Sequence, residues 1–171
     1  MKIILVGYMG SGKSTIGKKL SKIVEIPFYD LDEIIQNTEE ESIKNIFSVK
    51  GEIYFRKIES IIFRKFVDNT EDFILALGGG TPCYANNHEI LQDDNVISFY
   101  LKGSISTLTN RLQKEKENRP LIANLSESEL EEYISKHLFD RSYYYLQSKH
   151  VISIDNKSIE EINEEIKQKL T

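Results

Sequence analysis

The chain reads as an α/β protein, a three-layer α/β/α arrangement around a five-stranded parallel sheet. Three observations point there. Short apolar runs near residues 2–6, 27–32, 73–77, 96–101 and 151–154 are separated by segments of helical periodicity. Most of these runs are continuously apolar, as strands buried on both faces are. The first run also passes through a glycine-rich loop directly into a helix.

Taken in order, residues 2–6 are β-branched and apolar and predict a strand. Residues 15–23 predict the first helix. Residues 27–32 predict a second short strand that runs into a loop, and a helix begins at Asp32 and reaches Gln36. Residues 41–47 continue helical until Lys50-Gly51 interrupts. Residues 52–67 form a strong amphipathic pattern with Ile53, Ile58, Ile61 and Ile62 on its apolar side. A strand at 73–77 ends on Gly78-Gly79-Gly80. A short helix at 87–92, a strand at 96–101 and a helix at 104–116 follow. Ser126-Glu-Ser-Glu129 has the form of a capping box opening a helix that reaches about Gln147. A strand at 151–154 and a helix at 158–170 complete the chain. In parallel sheets of this kind ligands sit beyond the carboxyl ends of the strands. Residues 7–14, 30–32, 78–80 and 155–158 therefore converge on one crevice.

At 171 residues with no linker, repeat or low-complexity tract, the chain predicts one domain. The net charge of -5 argues against a broad grip on nucleic acid or an acidic membrane. A single cysteine, Cys83, excludes an internal disulfide and fits a reducing cytoplasmic setting. The first apolar run is too short for a signal segment or a membrane span. The basic residues are seventeen lysines and five arginines, Arg56, Arg64, Arg111, Arg119 and Arg141. Where lysine supplies the ordinary surface charge, each arginine becomes a candidate for its planar fork.

The loop after the first strand contains G-x-x-x-x-G-K-S as Gly7, Gly12, Lys13 and Ser14. Strand, glycine loop and helix together are the context of a P-loop NTPase fold. Glycines let successive N–H groups face one concavity, and the helix N-terminus adds partial positive charge. Lys13 should reach the β- and γ-phosphates, and the Ser14 hydroxyl should hold Mg²⁺. The motif predicts binding of a nucleoside triphosphate.

A P-loop alone fits motors, switches and small-molecule kinases, so other signals must discriminate. Asp30-Leu31-Asp32 offers two carboxylates near the phosphates, one to support Mg²⁺ and one to accept a proton from an attacking hydroxyl. It reads equally as a helix N-cap pair. Arg56 and Glu59 share a helix face and can pair, either as an ordinary surface pair or to hold Arg56 in place. Gly78-Gly79-Gly80 permits close backbone approach to a ligand. Arg119-Pro120-Leu121 lies in a charged segment that suits a lid. Asp140-Arg141 precedes Tyr143-Tyr144-Tyr145 on a helix that can return to the crevice.

Together, G-x-M-G-x-G-K-S-T, D-x-D, F-R-x-x-E, G-G-G, R-P-L and a late arginine followed by tyrosine resemble the shikimate kinase family, in that family's order and over nearly the whole chain. The resemblance implies transfer of the γ-phosphoryl of ATP to the 3-hydroxyl of shikimate, a step toward chorismate and the aromatic amino acids. It implies that Gly10, Ser11, Gly12, Lys13, Ser14 and Thr15 hold the phosphates. Ser14 would bind Mg²⁺ directly, with Asp30 supporting it through water. Asp32 would bind the attacking hydroxyl and act as general base. Arg56 and Arg141 would clamp the substrate carboxylate, Glu59 would orient Arg56, and Gly78, Gly79 and Gly80 would contact the ring. Arg119 would come from the lid as a catalytic cation beside Lys13. Arg111 would stack on adenine, with Asn156 and Lys157 in the adenine loop. The implied organisation is a single kinase domain over 1–171, with a core carrying the P-loop at 7–15, a substrate-binding helical region about 31–62 and a lid about 110–124. A cytoplasmic monomer is expected, with no nucleic-acid or membrane partner.

The chain departs from the family pattern at Asn118, where glycine often precedes the lid arginine. It departs again at Ile159-Glu160, where the adenine loop often carries proline. Its lid is also more charged. Arg64 reads as a surface residue, and Tyr84-Ala85-Asn86-Asn87 matches no motif. Cys83 reads as a packed side chain, and His88, His137 and His150 as structural or surface. The competing readings are a gluconate or nucleoside monophosphate kinase, a GTPase-like switch, and a non-catalytic nucleotide-binding homologue. The switch reading lacks the guanine-reading N-K-x-D, and the non-catalytic reading is disfavoured because Lys13, Asp32 and the arginines are all present.

Overall fold

A computed structural model describes residues 1–171. Strand β1 (Lys2–Val6) leads into helix α1 (Lys13–Val24), then β2 (Phe28–Asp30), α2 (Leu31–Glu39), α3 (Ile43–Lys50) and α4 (Glu52–Asn69). Strand β3 (Phe73–Ala76) is followed by two 3₁₀ turns, Thr81–Cys83 and Asn87–Gln92. Then come β4 (Val96–Lys102), α5 (Ile105–Glu115), a 3₁₀ turn (Lys116–Asn118), α6 (Glu127–Tyr145), β5 (His150–Ser153) and α7 (Ile159–Leu170). The five strands pair in parallel in the order β2-β3-β1-β4-β5.

The continuous apolar runs arise because both sheet faces are covered. Ile4 and Val6 of β1 pack into a core with residues of α4 and α6, whereas Ile3 and Leu5 pack with Ile16 and Leu20 of α1 and Ile162 and Ile166 of α7. Alternate residues of one strand thus serve two cores. Full burial of each of these aliphatic side chains contributes about 2 kcal/mol. On α1, Gly17 has no room for a side chain, since a Cβ there would lie 2.4 Å from the Phe28 ring. That contact seats α1 against β2.

The element order matches the sequence reading, with several shifted boundaries. The second strand is three residues long, so Asp32 lies in the first turn of α2 and not in a loop. Helix α2 stops where Glu40 takes a left-handed conformation, and its N–H bonds to the Gln36 carbonyl. This cap separates α2 from α3, which the sequence reads as one broken run. Helix α1 begins at Lys13, and residues 87–92 are 3₁₀. No helix is long and apolar enough to cross a membrane.

Candidate active site

The carboxyl ends of β1, β2 and β3 open into a cleft of about 470 Å³. Gly10, Gly12, Lys13, Ser14 and Thr15 form one wall, Asp30, Asp32, Gly78 and Gly79 the floor, and Arg111, Arg119 and Lys157 the far side.

The loop before α1 turns through Gly7, Gly10 and Gly12, the last two at φ of 79° and 91°. Gly12 caps α1 without a side chain, and the first turn of α1 holds no acidic residue. The N–H groups there are left for an anion. Lys13 Nζ donates to the carbonyls of Gly7 (2.6 Å) and Tyr8 (3.1 Å). Burial brings the Lys13 ammonium down to about 8, with Asp32 and Asp30 opposing. Ser11 is fully buried beneath the loop and does not line the cleft.

Asp30 fulfils the N-cap reading of its motif and also reaches the phosphate loop. Its Oδ1 accepts from the Asp32 amide at 2.9 Å and caps α2, and its Oδ2 accepts from the Ser14 hydroxyl at 3.1 Å. Asp32 lines the cleft one step further on. Burial pushes its carboxyl up to about 6, aided by Asp30 and Glu59 and opposed by Lys13 and Arg56. That places a proton acceptor close to neutral pH.

Beyond Asp32, the glycine triplet makes room for three charged side chains. None of the three glycines has a left-handed φ, so the requirement is steric. A Cβ on Gly78 would lie 3.3 Å from Asp32 Oδ1, one on Gly79 would lie 3.2 Å from Arg141 Nη1, and one on Gly80 would lie 2.6 Å from Arg56 Nη2. Arg56 Nη1 donates to Glu59 Oε1 at 2.9 Å, and Glu59 Oε2 accepts from the Thr81 hydroxyl at 2.8 Å. Glu59 is 1 % exposed, so this is no surface pair. Arg141 lies over the Tyr8 ring at 5.8 Å and forms no ion pair within the chain. Tyr145, one turn further along α6, donates its hydroxyl to the Gly79 carbonyl and fixes the triplet to the same helix.

Arg111 Nη1 donates to the Gly10 carbonyl at 3.3 Å. Arg119 lines the cleft, and its Nη2 pairs with Glu115 at 3.2 Å. Beyond the end of α5 at Glu115 the chain runs through turns as far as residue 124, anchored by fully buried Ile122 and leaving Leu121 exposed. Lys157 lines the cleft with its ammonium on Glu165 at 2.8 Å. Asn156 takes the left-handed position of that turn, exposed and outside the cleft lining.

Some residues at the site escape sequence reasoning. Tyr8, inside the glycine loop, exchanges a hydrogen bond with His137 Nδ1 of α6 at 2.7 Å. Arg64 is not an ordinary surface residue, since its Nη2 donates to the Ala85 carbonyl at 2.9 Å and its Nε to Ser60 at 3.3 Å. Ser60 in turn donates to buried Asn87 at 2.8 Å. Cys83 is half-buried, and burial pushes its thiol up to about 11, which leaves little nucleophilic thiolate at neutral pH.

A family model described as shikimate kinase matches residues 9–171. A shikimate kinase of Flavobacterium johnsoniae is 55 % identical over 165 residues, 96 % of each chain. The crystal structure of a shikimate kinase from Bacteroides thetaiotaomicron superposes with a TM-score of 0.91 at 28 % identity, covering 99 % of this chain and 98 % of that one. A shikimate kinase from Acinetobacter baumannii in complex with shikimate gives 0.85 at 28 % identity, covering 99 % and 92 %.

Proposed function

The chain belongs to the shikimate kinase family, and we propose that its reaction is carried by the side chains gathered around the glycine triplet. The activity is transfer of the γ-phosphoryl of ATP to the 3-hydroxyl of shikimate. The observation that carries the reading is the placement of the Lys13–Asp32 end of the cleft against two guanidinium groups, one of which, Arg141, has no anionic partner in the chain.

The roles follow from charge and position. The N–H groups from Gly10 to Thr15 and the Lys13 ammonium cradle the phosphates, and Lys13 exchanges its two loop carbonyls for phosphate oxygens. The hydroxyl of Ser14 and the carboxylate of Asp30 are hard oxygen donors side by side, which fits Mg²⁺, and Ser14 would hold the ion with Asp30 supporting it through water. That ion would neutralise phosphate charge as the phosphoryl group moves. Asp32 accepts the proton of the attacking hydroxyl. Arg56 and Arg141 grip the shikimate carboxylate, where two planar forks give directional hydrogen bonds that two ammonium groups would not. Glu59 holds Arg56, and Gly78, Gly79 and Gly80 keep the ring close to the backbone. Arg119 approaches the transferring phosphoryl group from the lid. Arg111, Asn156 and Lys157 border the adenine end. The whole chain works as one kinase domain, and we expect it to act as a cytoplasmic monomer.

The regiochemistry supplies the test. Phosphorus NMR of the product formed from shikimate and Mg-ATP should show the phosphorus coupled to the proton on C3. Coupling to another ring proton would overturn the placement of Asp32 relative to the arginine pair.

A further inference from the structure

We propose that Tyr84 is a positioning residue for Arg56 and thereby sets affinity for the substrate carboxylate, an inference that rests on the carboxylate role given to Arg56 above. The guanidinium of Arg56 is held in its plane by one good hydrogen bond, Nη1 to Glu59. Its Nε is buried with no hydrogen-bond partner, and the nearest carboxylate oxygen, Glu52 Oε1, is 3.9 Å away. One bond at one corner leaves a planar fork free to tilt. Tilt is restrained by stacking, because the Arg56 Cζ lies 4.2 Å from the centroid of the Tyr84 ring, closer than the 5.2 Å to Phe55. The Tyr84 hydroxyl donates to Glu52 Oε1 at 3.3 Å, which ties the ring to the carboxylate facing the Nε edge of Arg56.

The backbone supports the same conclusion. Tyr84 ends the 3₁₀ turn Thr81–Cys83 and precedes two non-glycine residues in the left-handed region, Ala85 at φ 51° and Asn86 at φ 55°. Such backbone persists where its surroundings over-determine it. Arg64 holds the Ala85 carbonyl, and Asn87 donates to the Thr81 carbonyl at 2.9 Å while accepting from Ser60. Two anchors from α4, Arg64 and Ser60, and the Asn87–Thr81 bond across the turn therefore fix a loop whose one large side chain lies on Arg56.

Steady-state kinetics on Tyr84→Leu and Tyr84→Phe, with Arg56→Lys as reference, test the assignment. Tyr84→Leu should raise the shikimate KM roughly 3- to 10-fold, the range expected for a lost stacked cation. Its kcat, ATP KM and melting temperature should stay near wild type. Tyr84→Phe keeps the ring face and should retain most of the wild-type KM. A wild-type shikimate KM for Tyr84→Leu, with Arg56→Lys raised, overturns the role of Tyr84 and leaves that of Arg56 standing. An unchanged KM for Arg56→Lys overturns the underlying reading. Equal losses toward both substrates in the Leu and Phe variants would show a merely structural residue and also overturn the proposal.

Discussion

The Cβ position of Gly80 lies 2.6 Å from Nη2 of Arg56, so an alanine at 80 and the observed guanidinium cannot coexist. The obstructing atom ends a flexible side chain, so Arg56 moves and the fold survives. Gly80→Ala should raise the shikimate KM about tenfold or more, the scale of one charge-assisted hydrogen bond. Thermal stability should change little. Kinetics beside a melting curve check both, and a wild-type KM would show that Arg56 binds substrate from another rotamer.

Arg141→Lys replaces a fork by a point charge at the half-buried cation that lacks an anionic partner in the chain. The shikimate KM should rise about tenfold or more, with the ATP KM within a few-fold. An unaltered shikimate KM would break the two-arginine clamp.

Asp32→Asn should lower kcat by about 10²- to 10⁴-fold, the usual worth of a general base. ATP affinity measured by calorimetry should survive. In the wild-type enzyme, kcat/KM should fall below about pH 6, where Asp32 takes up its proton. Turnover unchanged in Asp32→Asn would remove this residue from the chemistry.

The same group makes a prediction about stability. The carboxyl of Asp32 sits near 3.8 unfolded and about 6 folded. Below both values the protonated group costs nothing. As pH rises between them the unfolded chain ionises first, and above about 6 the buried carboxylate destabilises the ligand-free fold by about 1–3 kcal/mol. Asp32→Asn should therefore melt several degrees higher than wild type at pH 8, and the difference should shrink toward pH 4. An unchanged difference across that range would contradict the electrostatic account.

Residues 113–121 should be better protected from proteolysis with ATP and shikimate bound, because the role proposed for Arg119 brings it over the phosphoryl group. Buried Ile122 provides an anchor about which the exposed turn can close. Equal cleavage with and without ligands would argue against closure.

Much of this was legible in the chain because it is local. Lys2–Val6 is apolar at every position after Lys2 since Ile3 and Leu5 face one core and Ile4 and Val6 the other. Lys13, Ser14 and Asp32 belong to short motifs whose chemistry follows from their spacing. The glycine triplet was visible, but its reason was not, since Arg56, Arg141 and Asp32 reach it from three different helices. Tyr8 with His137, Arg64 with Ala85 and Tyr84 with Arg56 are also tertiary contacts, and no local periodicity announces them. The break at Glu40 was missed for a related reason: a left-handed glutamate has no sequence signature comparable to glycine.

The most direct test is ADP release from Mg-ATP measured in parallel with shikimate, gluconate and nucleoside monophosphates as acceptors. Turnover with shikimate alone is the predicted result. Turnover with gluconate or a nucleotide but not with shikimate would keep the phosphate-binding loop and contradict the assignment of Arg56, Arg141 and the glycine triplet to shikimate.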